Sequence, residues 1–368
     1  MIKMKIGILT YHRCHNYGAL LQAVAMRKVL GDIGNNVSYV DYWPYEHDQR
    51  YRIINKVYLN KVDLLHKMTY LGRIGKNLPN IKRRISVFRR FIDRHIDPYC
   101  ESIDTQYDCV VYGSDQIWRK EPSLGNRIDS IYLGEGISDD ISKISYAASM
   151  GVLNLEDSDY KELYKHLSKF TGVSVRENDL KNVVEKAGIK NVKQVLDPTL
   201  LLTKEDWMDL LKIKPVRKRG YVLYYGLMPG SFDEDELRKF ARKRNLEFVE
   251  LKGTADTLFP KKNVYSFAGP EEMLSLIANA DYVFTSSYHG LVFSLIFQKE
   301  VYAAFKTNAG RAKTLLDSLN ISGRLLSPNT KVCEVDKIPY NLVASRMAGL
   351  RSDSLSWIEK MLENARAL

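Results

Sequence analysis

Residues 5–40 read KIGILTYHRCHNYGALLQAVAMRKVLGDIGNNVSYV, and the fold class follows from this stretch. The run at 5–9 is short and apolar, as a buried strand requires. Residues 19–30 repeat apolar side chains at helical spacing and stop before Gly31 and Gly34. Residues 37–40 form a second strand-like run, closed by Asp41, which reads as a solvated strand end. Strand, helix, strand over this length predicts a βαβ unit and a parallel sheet. The pattern resumes with strand-like runs at 109–112, 144–147, 173–175 and 194–196. Near 204–219 the acidic-aromatic KEDWMDLLKI gives way to the basic KPVRKRG, and a second alternating series starts. Its strands are expected at 221–225, 247–251, 281–285 and 301–305. Its helices are expected at 234–244, 271–280, 290–297 and 311–319, with a final amphipathic helix at 354–367. Two such series predict an α/β protein of two Rossmann-like, doubly wound domains facing a cleft, at 1–205 and 206–368, with the last helix crossing back to the first domain.

Composition narrows the class. The chain has 368 residues, 45% hydrophobic and 27% charged, which is ordinary for a folded protein. Its longest apolar runs, such as 291–297, are far shorter than the roughly 20 residues of a membrane-spanning helix. The first nine residues do not read as a secretion signal. Cys14, Cys100, Cys109 and Cys333 make no CxxC pair, which suits reduced thiols in the cytoplasm and no zinc site. The net charge of +11 is concentrated. Residues 49–99 hold thirteen Lys and Arg against three acids, a net +10. Ile81, Ile85, Phe88 and Ile92 recur at helical spacing among the arginines, so this segment is expected to form amphipathic basic helices. Either the apolar face covers the core and the arginines face water, or the basic face attracts anionic lipid or an anionic substrate. No nucleic-acid motif accompanies it, and nucleic acid is not expected as a partner.

In open parallel sheets ligands bind beyond the carboxyl ends of the strands, so four loops are the candidates for chemistry. The loop TYHRCHNYG at 10–18 runs into a helix N-terminus, where free N–H groups favour anions. Asn16 can cap that helix, Gly18 allows close backbone approach, and His12, Arg13, His15 and Tyr17 add polar groups. Without GxGxxG, a dinucleotide site is not supported. The loop GSDQIW follows the run CVVY and offers Ser114, Asp115 and Gln116. Asp115 reads either as a general base or as a helix N-cap beside Ser114. Arg176 ends the run GVSV, as an Arg that clamps carboxylate or phosphate would, or as half of a structural pair with Glu177. The loop TSSYHG places Ser287, Tyr288 and His289 at the start of an apolar helix, whose dipole would lower the His289 pKa. Arg311 and Lys313 open a further helix. No Walker loop, nucleophile elbow, HExxH or DxD pair is present, and no metal is expected.

Taken in order, these segments resemble the polysaccharide pyruvyl transferase family. The carrying residues are Gly7–Tyr11 with 16–23 (NYGALLQA), 110–118 (VVYGSDQIW), 145–149 (SYAAS), 173–177 (VSVRE), 195–201 (VLDPTLL) and 286–294 (SSYHGLVFS). The resemblance implies a fold like the B-type glycosyltransferases. It also implies transfer of pyruvate from phosphoenolpyruvate to two hydroxyls of one sugar, with no cofactor, in the synthesis of a capsule, exopolysaccharide or cell-wall glycan. In that family an Arg and a His of the matching segments help to bind the donor, and the matching positions are Arg176 and His289. Some members carry Arg-Leu-His where this chain has Ser287-Tyr288-His289. Either Arg311, Lys313 or Arg13 replaces the missing Arg, or the donor is held differently.

The residues suit this chemistry. His289 would act as general acid or protonate the departing phosphate, Asp115 would deprotonate or orient an acceptor hydroxyl, and Arg176 would clamp the donor with Ser287, Tyr288, Arg311 and Lys313. Asn16, Tyr17, Gly18, Ser114 and Gln116 would face the acceptor, a glycan either soluble or lipid-linked. The basic segment 49–99 would hold the protein at an anionic inner membrane face. Two alternatives are a nucleotide-sugar glycosyltransferase on the same architecture and a non-catalytic binder of anions or sugar phosphates.

Overall fold

Lys5–Leu9 (β1) is buried on both faces of its sheet, which is why its sequence is a continuous apolar run rather than an alternating one. The computed structural model describes residues 3–254, 262–330 and 337–367. Cys333 lies outside them. From β1 the chain passes through Tyr17–Asp32 (α1) to Asn36–Val40 (β2). Asn16 caps α1 by accepting from the Ala19 amide at 3.3 Å, so the helix starts earlier than periodicity alone suggests. Three helices follow: Tyr45–Tyr51 (α2), Lys56–Lys61 (α3) and Leu64–His95 (α4). Then come Cys100–Glu101 (β3), Cys109–Tyr112 (β4), a small hairpin of Lys120–Glu121 (β5) and Arg127–Ile128 (β6), and Ser142–Ala148 (β7). Asp157–Leu167 (α5), Gly172–Val175 (β8), Asn178–Lys186 (α6) and Lys193–Gln194 (β9) complete a parallel sheet of order β3-β2-β1-β4-β7-β8-β9.

Lys204–Leu211 (α7) leads to the second sheet. Tyr221–Tyr225 (β10), Glu234–Lys243 (α8), Glu247–Leu251 (β11), Val264–Tyr265 (β12) and Pro270–Asn279 (α9) come first. Tyr282–Thr285 (β13), Tyr288–Ile296 (α10), Glu300–Ala304 (β14), Gly310–Ser318 (α11) and Leu325–Leu326 (β15) follow. Among the described residues this sheet is also parallel, of order β12-β11-β10-β13-β14-β15. The molecule thus has two doubly wound α/β halves. In each, the strand order reverses beside the first strand of the half: between β1 and β4, and between β10 and β13. Such switch points open a crevice at the strand ends.

Some expectations shift. The boundary expected at 205/206 falls inside α7, whose Trp207 packs edge-on against Phe293 and donates to the Thr199 carbonyl at 3.1 Å. The change of sheet lies between β9 and β10. The strand expected at 194–196 stops at Gln194, because the Leu196 amide donates instead to Ser354 Oγ on the last helix. That helix is longer than its expected 354–367 and spans Tyr340–Arg366 (α12). Its start holds the second half, through Tyr340 on the Lys299 carbonyl and Arg346 on the Leu319 carbonyl. Its end lies on the first half, where Trp357 faces Tyr146 and Met361 fills the space that the bare Gly172 leaves. Ser354, Ile358, Leu362 and Ala365 are its buried stripe there.

The basic segment is not one uniform face. Arg84 is buried in α4 and donates to Tyr17 Oη and to the Ser266 carbonyl, at 3.3 Å each. Tyr17 in turn donates to the Ala268 carbonyl at 2.7 Å. Arg83 lies over the Phe267 ring at 5.0 Å. Arg89 pairs with Asp93 at 2.7 Å and Asp97 at 2.6 Å. The second part of α4 is therefore a strut between the two halves. Tyr17 belongs to that strut, and its hydroxyl is committed to the Ala268 carbonyl rather than presented to an acceptor. Arg84→Met should destabilise the protein by about 1–3 kcal/mol, the loss of a charged donor's hydrogen bonds. Arg90→Ala, at an exposed position, should change stability by less than about 0.5 kcal/mol. Urea unfolding at neutral pH measures both.

Candidate active site

The two crevices face each other, and their loops interlock. Thr10 Oγ1, after β1, donates to the Ser114 carbonyl after β4 at 2.9 Å. Gln22 on α1 accepts from the Ser114 amide at 3.2 Å. Across the cleft, Ser286 Oγ after β13 accepts from the Leu227 and Met228 amides after β10. Ser287 caps α10 by accepting from the Gly290 amide at 3.2 Å. This cap fixes Tyr288 and His289 in the first turn of α10. A Cβ at Gly18 would overlap the His289 ring, so the bare backbone of α1 is what lets the second half's histidine seat against the first half.

The centre of the site is a carboxylate that the sequence reading did not single out. Asp197 is fully buried in the loop after β9. Its Oδ2 accepts from Arg176 Nη1 at 2.5 Å, lies 3.4 Å from Ser114 Oγ and stands 3.5 Å from His289 Nε2. Its Oδ1 accepts from the Thr199 hydroxyl at 2.6 Å and the Thr199 amide at 3.0 Å. Burial pushes this carboxyl upward, but His289 and Arg176 outweigh it and hold the group well below the usual carboxylate range. Arg176, at the end of β8, is correspondingly held above its ordinary value by Asp197 despite its burial. The signal that could have found Asp197 is local. An acid between the apolar Val195–Leu196 and Pro198 has no solvent-facing reason to be there.

Next to this pair, the Tyr288 ring carries two guanidinium groups, Arg176 at 5.0 Å and Arg311 at 5.3 Å. Burial, then repulsion from Arg176, lowers the Arg311 pKa. Arg176 Nε and Nη2 and Arg311 Nε are buried without a hydrogen bond. Glu177 is 3.8 Å from Arg176, but its other oxygen accepts from Ser149 at 2.7 Å. Of the three groups expected to replace the missing Arg, only Arg311 is at this site. Lys313 pairs with Asp317 at 2.7 Å on the exposed side of α11. Arg13 is held by Asp41 at 3.0 Å and Asp97 at 3.6 Å.

Asp115 belongs to the same half as Arg176 and Asp197, in the loop after β4. No helix follows it, so the reading of Ser114 or Asp115 as an N-cap fails. Asp115 has a left-handed backbone (φ 72°), its chain pairs with Ala148, and its carboxylate accepts from the Gln116 amide at 2.8 Å. Its Oδ1 lies 3.9 Å from Arg176 Nη2. It lines a 120 Å³ pocket with Tyr11, Asn16, Trp43, Tyr51 and Gln116. Beneath that pocket, buried Glu121 gathers His47 at 3.3 Å, Arg50 at 2.6 Å and Arg119 at 2.5 Å, a cluster not foreseen from sequence. Among the described residues, His12, Asp41 and Cys100 bring ligand atoms within 4.8 Å of one another. The Arg13 guanidinium already meets Asp41 there, so a second cation would face its repulsion.

The family model for polysaccharide pyruvyl transferases matches residues 16–304, most of the chain. The chain belongs to the polysaccharide pyruvyl transferase family. No curated protein matches it. Among solved structures it is similar to the UDP-GlcNAc 2-epimerase of Methanocaldococcus jannaschii, at 9% identity and TM-score 0.48, covering 94% of this chain and 92% of that one. It is also similar to the glycosyltransferase SnogD of Streptomyces nogalater, at 12% identity and TM-score 0.43, covering 99% and 100%. A third is the UDP-GlcNAc 2-epimerase of Neisseria meningitidis, at 13% identity and TM-score 0.46, covering 98% and 100%. In this chain Arg176, His289 and Arg311 sit together around Asp197 and the Tyr288 ring.

Two consequences are measurable. Asp197→Asn leaves Arg176 and His289 without their anion and should cost about 3–5 kcal/mol at pH 7. The Asp197 carboxyl takes its proton more readily in the unfolded chain, at about pH 4, than in the folded one. Its stabilisation is thus complete above about pH 4 and declines as pH falls below it, so Asp197→Asn should also flatten the acid side of the stability curve. Burial, then Arg84 and Arg89, pushes His15 down to about 4. The unfolded chain therefore binds that proton first, from about pH 6.5. Stability should fall from there towards pH 4, and His15→Phe should lessen that slope in urea titrations across pH.

Proposed function

We propose that this protein moves the pyruvyl group of phosphoenolpyruvate onto two hydroxyls of one sugar, closing a cyclic ketal. The observation that carries the reading is the pair of guanidinium groups on Tyr288, with buried N–H donors that lack acceptors. Phosphoenolpyruvate bears a carboxylate and a phosphate, and bidentate donors are suited to both. Family membership supports the same chemistry.

In this scheme Arg176 and Arg311 bind the donor's anionic groups, and Asp197 positions Arg176 and the His289 ring. His289 gives a proton to the methylene carbon, which becomes the methyl group of the ketal, and C2 becomes electrophilic. A sugar hydroxyl attacks C2 and loses its proton to Asp115. The C2–O bond to phosphate then breaks, and the second hydroxyl closes the ring on the same carbon. Two hydroxyl protons are released in all. One replaces the proton given to carbon, and the other leaves on inorganic phosphate. The aromatic walls Tyr11, Trp43 and Tyr51 beside Asp115 suit the C–H face of a sugar, and Asn16 and Gln116 supply polar contacts to its hydroxyls.

The test is incubation with phosphoenolpyruvate and a panel of glycans, followed by mass spectrometry for the ketal and assay of released phosphate. His289→Ala and Asp115→Asn should each lower kcat by roughly 10²–10⁴. Arg311→Met should chiefly raise KM for phosphoenolpyruvate. Turnover of a nucleotide sugar in place of phosphoenolpyruvate would favour a glycosyltransferase. Binding of phosphoenolpyruvate without phosphate release for any acceptor would favour a non-catalytic binder.

A further inference from the structure

Seven of the fifteen exposed large apolar side chains among the described residues fall within residues 45–71, far from an even spread. The most exposed are Leu64 and Leu65, at 72% each, and Met68, at 64%. Leu64, Met68 and Leu71 lie at i, i+4 and i+7 in α4 and form one stripe, with Leu65 beside it. Nothing in α4 is buried before Ile74. Here, then, the apolar side of an amphipathic helix faces outward instead of onto a core.

The surrounding charge has one sign. Lys67 and Lys76 flank the stripe on α4, Arg73 lies on the same part of the helix and Lys56 and Lys61 on α3, and none of them forms an ion pair within the described residues. The single acid between 52 and 92 is Asp63, which caps α4 and pairs with His66 at 2.7 Å. Behind the tip an apolar groove of about 660 Å³ is lined by Ile53, Ile54, Ile85 and Ile92. It reaches Trp43 and Tyr51, which also wall the pocket of Asp115.

We propose that the α3–α4 hairpin docks on an anionic lipid bilayer. Leu64, Leu65, Met68 and Leu71 enter the boundary between headgroups and acyl chains, and the lysines meet headgroup phosphates. An apolar stripe framed by Lys and Arg is the pattern of a helix lying in a membrane interface. A second copy of this chain is a poorer occupant, since two such tips repel each other, whereas an anionic surface complements them. No helix among the described residues is long and apolar enough to cross a membrane, so the contact is peripheral. The groove opens from this face towards the acceptor side of the cleft. The docking does not depend on the identity of the donor substrate.

Co-sedimentation of the full chain with vesicles tests it. Vesicles are made of phosphatidylcholine alone or mixed with phosphatidylglycerol. Binding is expected to the mixed vesicles and to be at least about tenfold weaker without the anionic lipid. Leu64→Glu with Met68→Glu, and separately Lys61→Glu with Lys67→Glu and Lys76→Glu, should each weaken it by at least about tenfold. Circular dichroism and ketal formation on a soluble acceptor should stay at wild-type level in both variants, so failure of docking and failure of the donor reading are separable. Equal binding by wild type and variants, or no binding to either vesicle, overturns the proposal. So does a dimer, seen by sedimentation velocity, that Leu64→Glu with Met68→Glu abolishes, because the stripe is then an interface between copies.

Discussion

A fully buried carboxylate is costly unless its charge is met, and Asp197 is where this molecule resolves that constraint. Its two nitrogen partners come from different halves: Arg176 follows the β8 strand of the first, and His289 lies in the first turn of the α10 helix of the second. The same contact therefore closes the cleft and sets the site. Removing the acid would leave a buried guanidinium without its nearest anion. Removing the histidine would leave the loop of the second half without a polar reason to approach α1. The bare Gly18 is the counterpart of this arrangement, since only a residue without Cβ lets the ring come so near.

The remaining inter-half contacts are consistent with that geometry. Tyr17, one residue before Gly18, reaches the Ala268 carbonyl, and Arg84 reaches both Tyr17 and Ser266. α12 starts on the second half and finishes on the first, with Ser354 accepting from Leu196 one residue before Asp197. Each strut ends within a few residues of a site group. Local packing and the placement of chemistry are in this way the same problem, and a group such as Tyr17 can look like a ligand contact in sequence while serving the joint.

What could be read from sequence depends on whether the cause is local. The strands β1, β2, β10 and β13 are continuous apolar runs, and periodicity finds them. The Asn16 cap and the loops at 113–118 and 285–290 are likewise local signals. For Asp197 the local signal is only an acid set in an apolar run, and Glu121 and the full length of α12 leave less. Asp197 matters because of two side chains that the chain places beside it only after folding, and Glu121 gathers, besides its near neighbour Arg119, His47 and Arg50 from α2, which lies far away in sequence. The buried positions of α12, from Val343 and Met347 to Ser354, Ile358 and Leu362, lie on one stripe, but Gly349 and the polar run at 351–354 interrupt its apolar signal in the sequence. The N-cap reading at Asp115 failed for a related reason. The sequence Gly-Ser-Asp suits a helix start, but pairing with Ala148 holds the backbone in another conformation.

The basic segment shows how a count of charges differs from a surface. Over about 48 Å of helix, α4 carries most of its arginines at one end, and Lys67 and Lys76, with Arg73, at the other. Arg84 and Arg89 are used within the protein, on carbonyls and on Asp93 and Asp97, where planar, multiple donors are of value. The lysines lie where no acid answers them, on flexible stems beside exposed leucines. Arginine at the joint and lysine at the tip divide one run of positive charge into an internal and an external role. The external role pairs charge with exposed apolar area, and that pairing is unfavourable in water. In the proposed docking, phosphate meets the charge and hydrocarbon meets the apolar area.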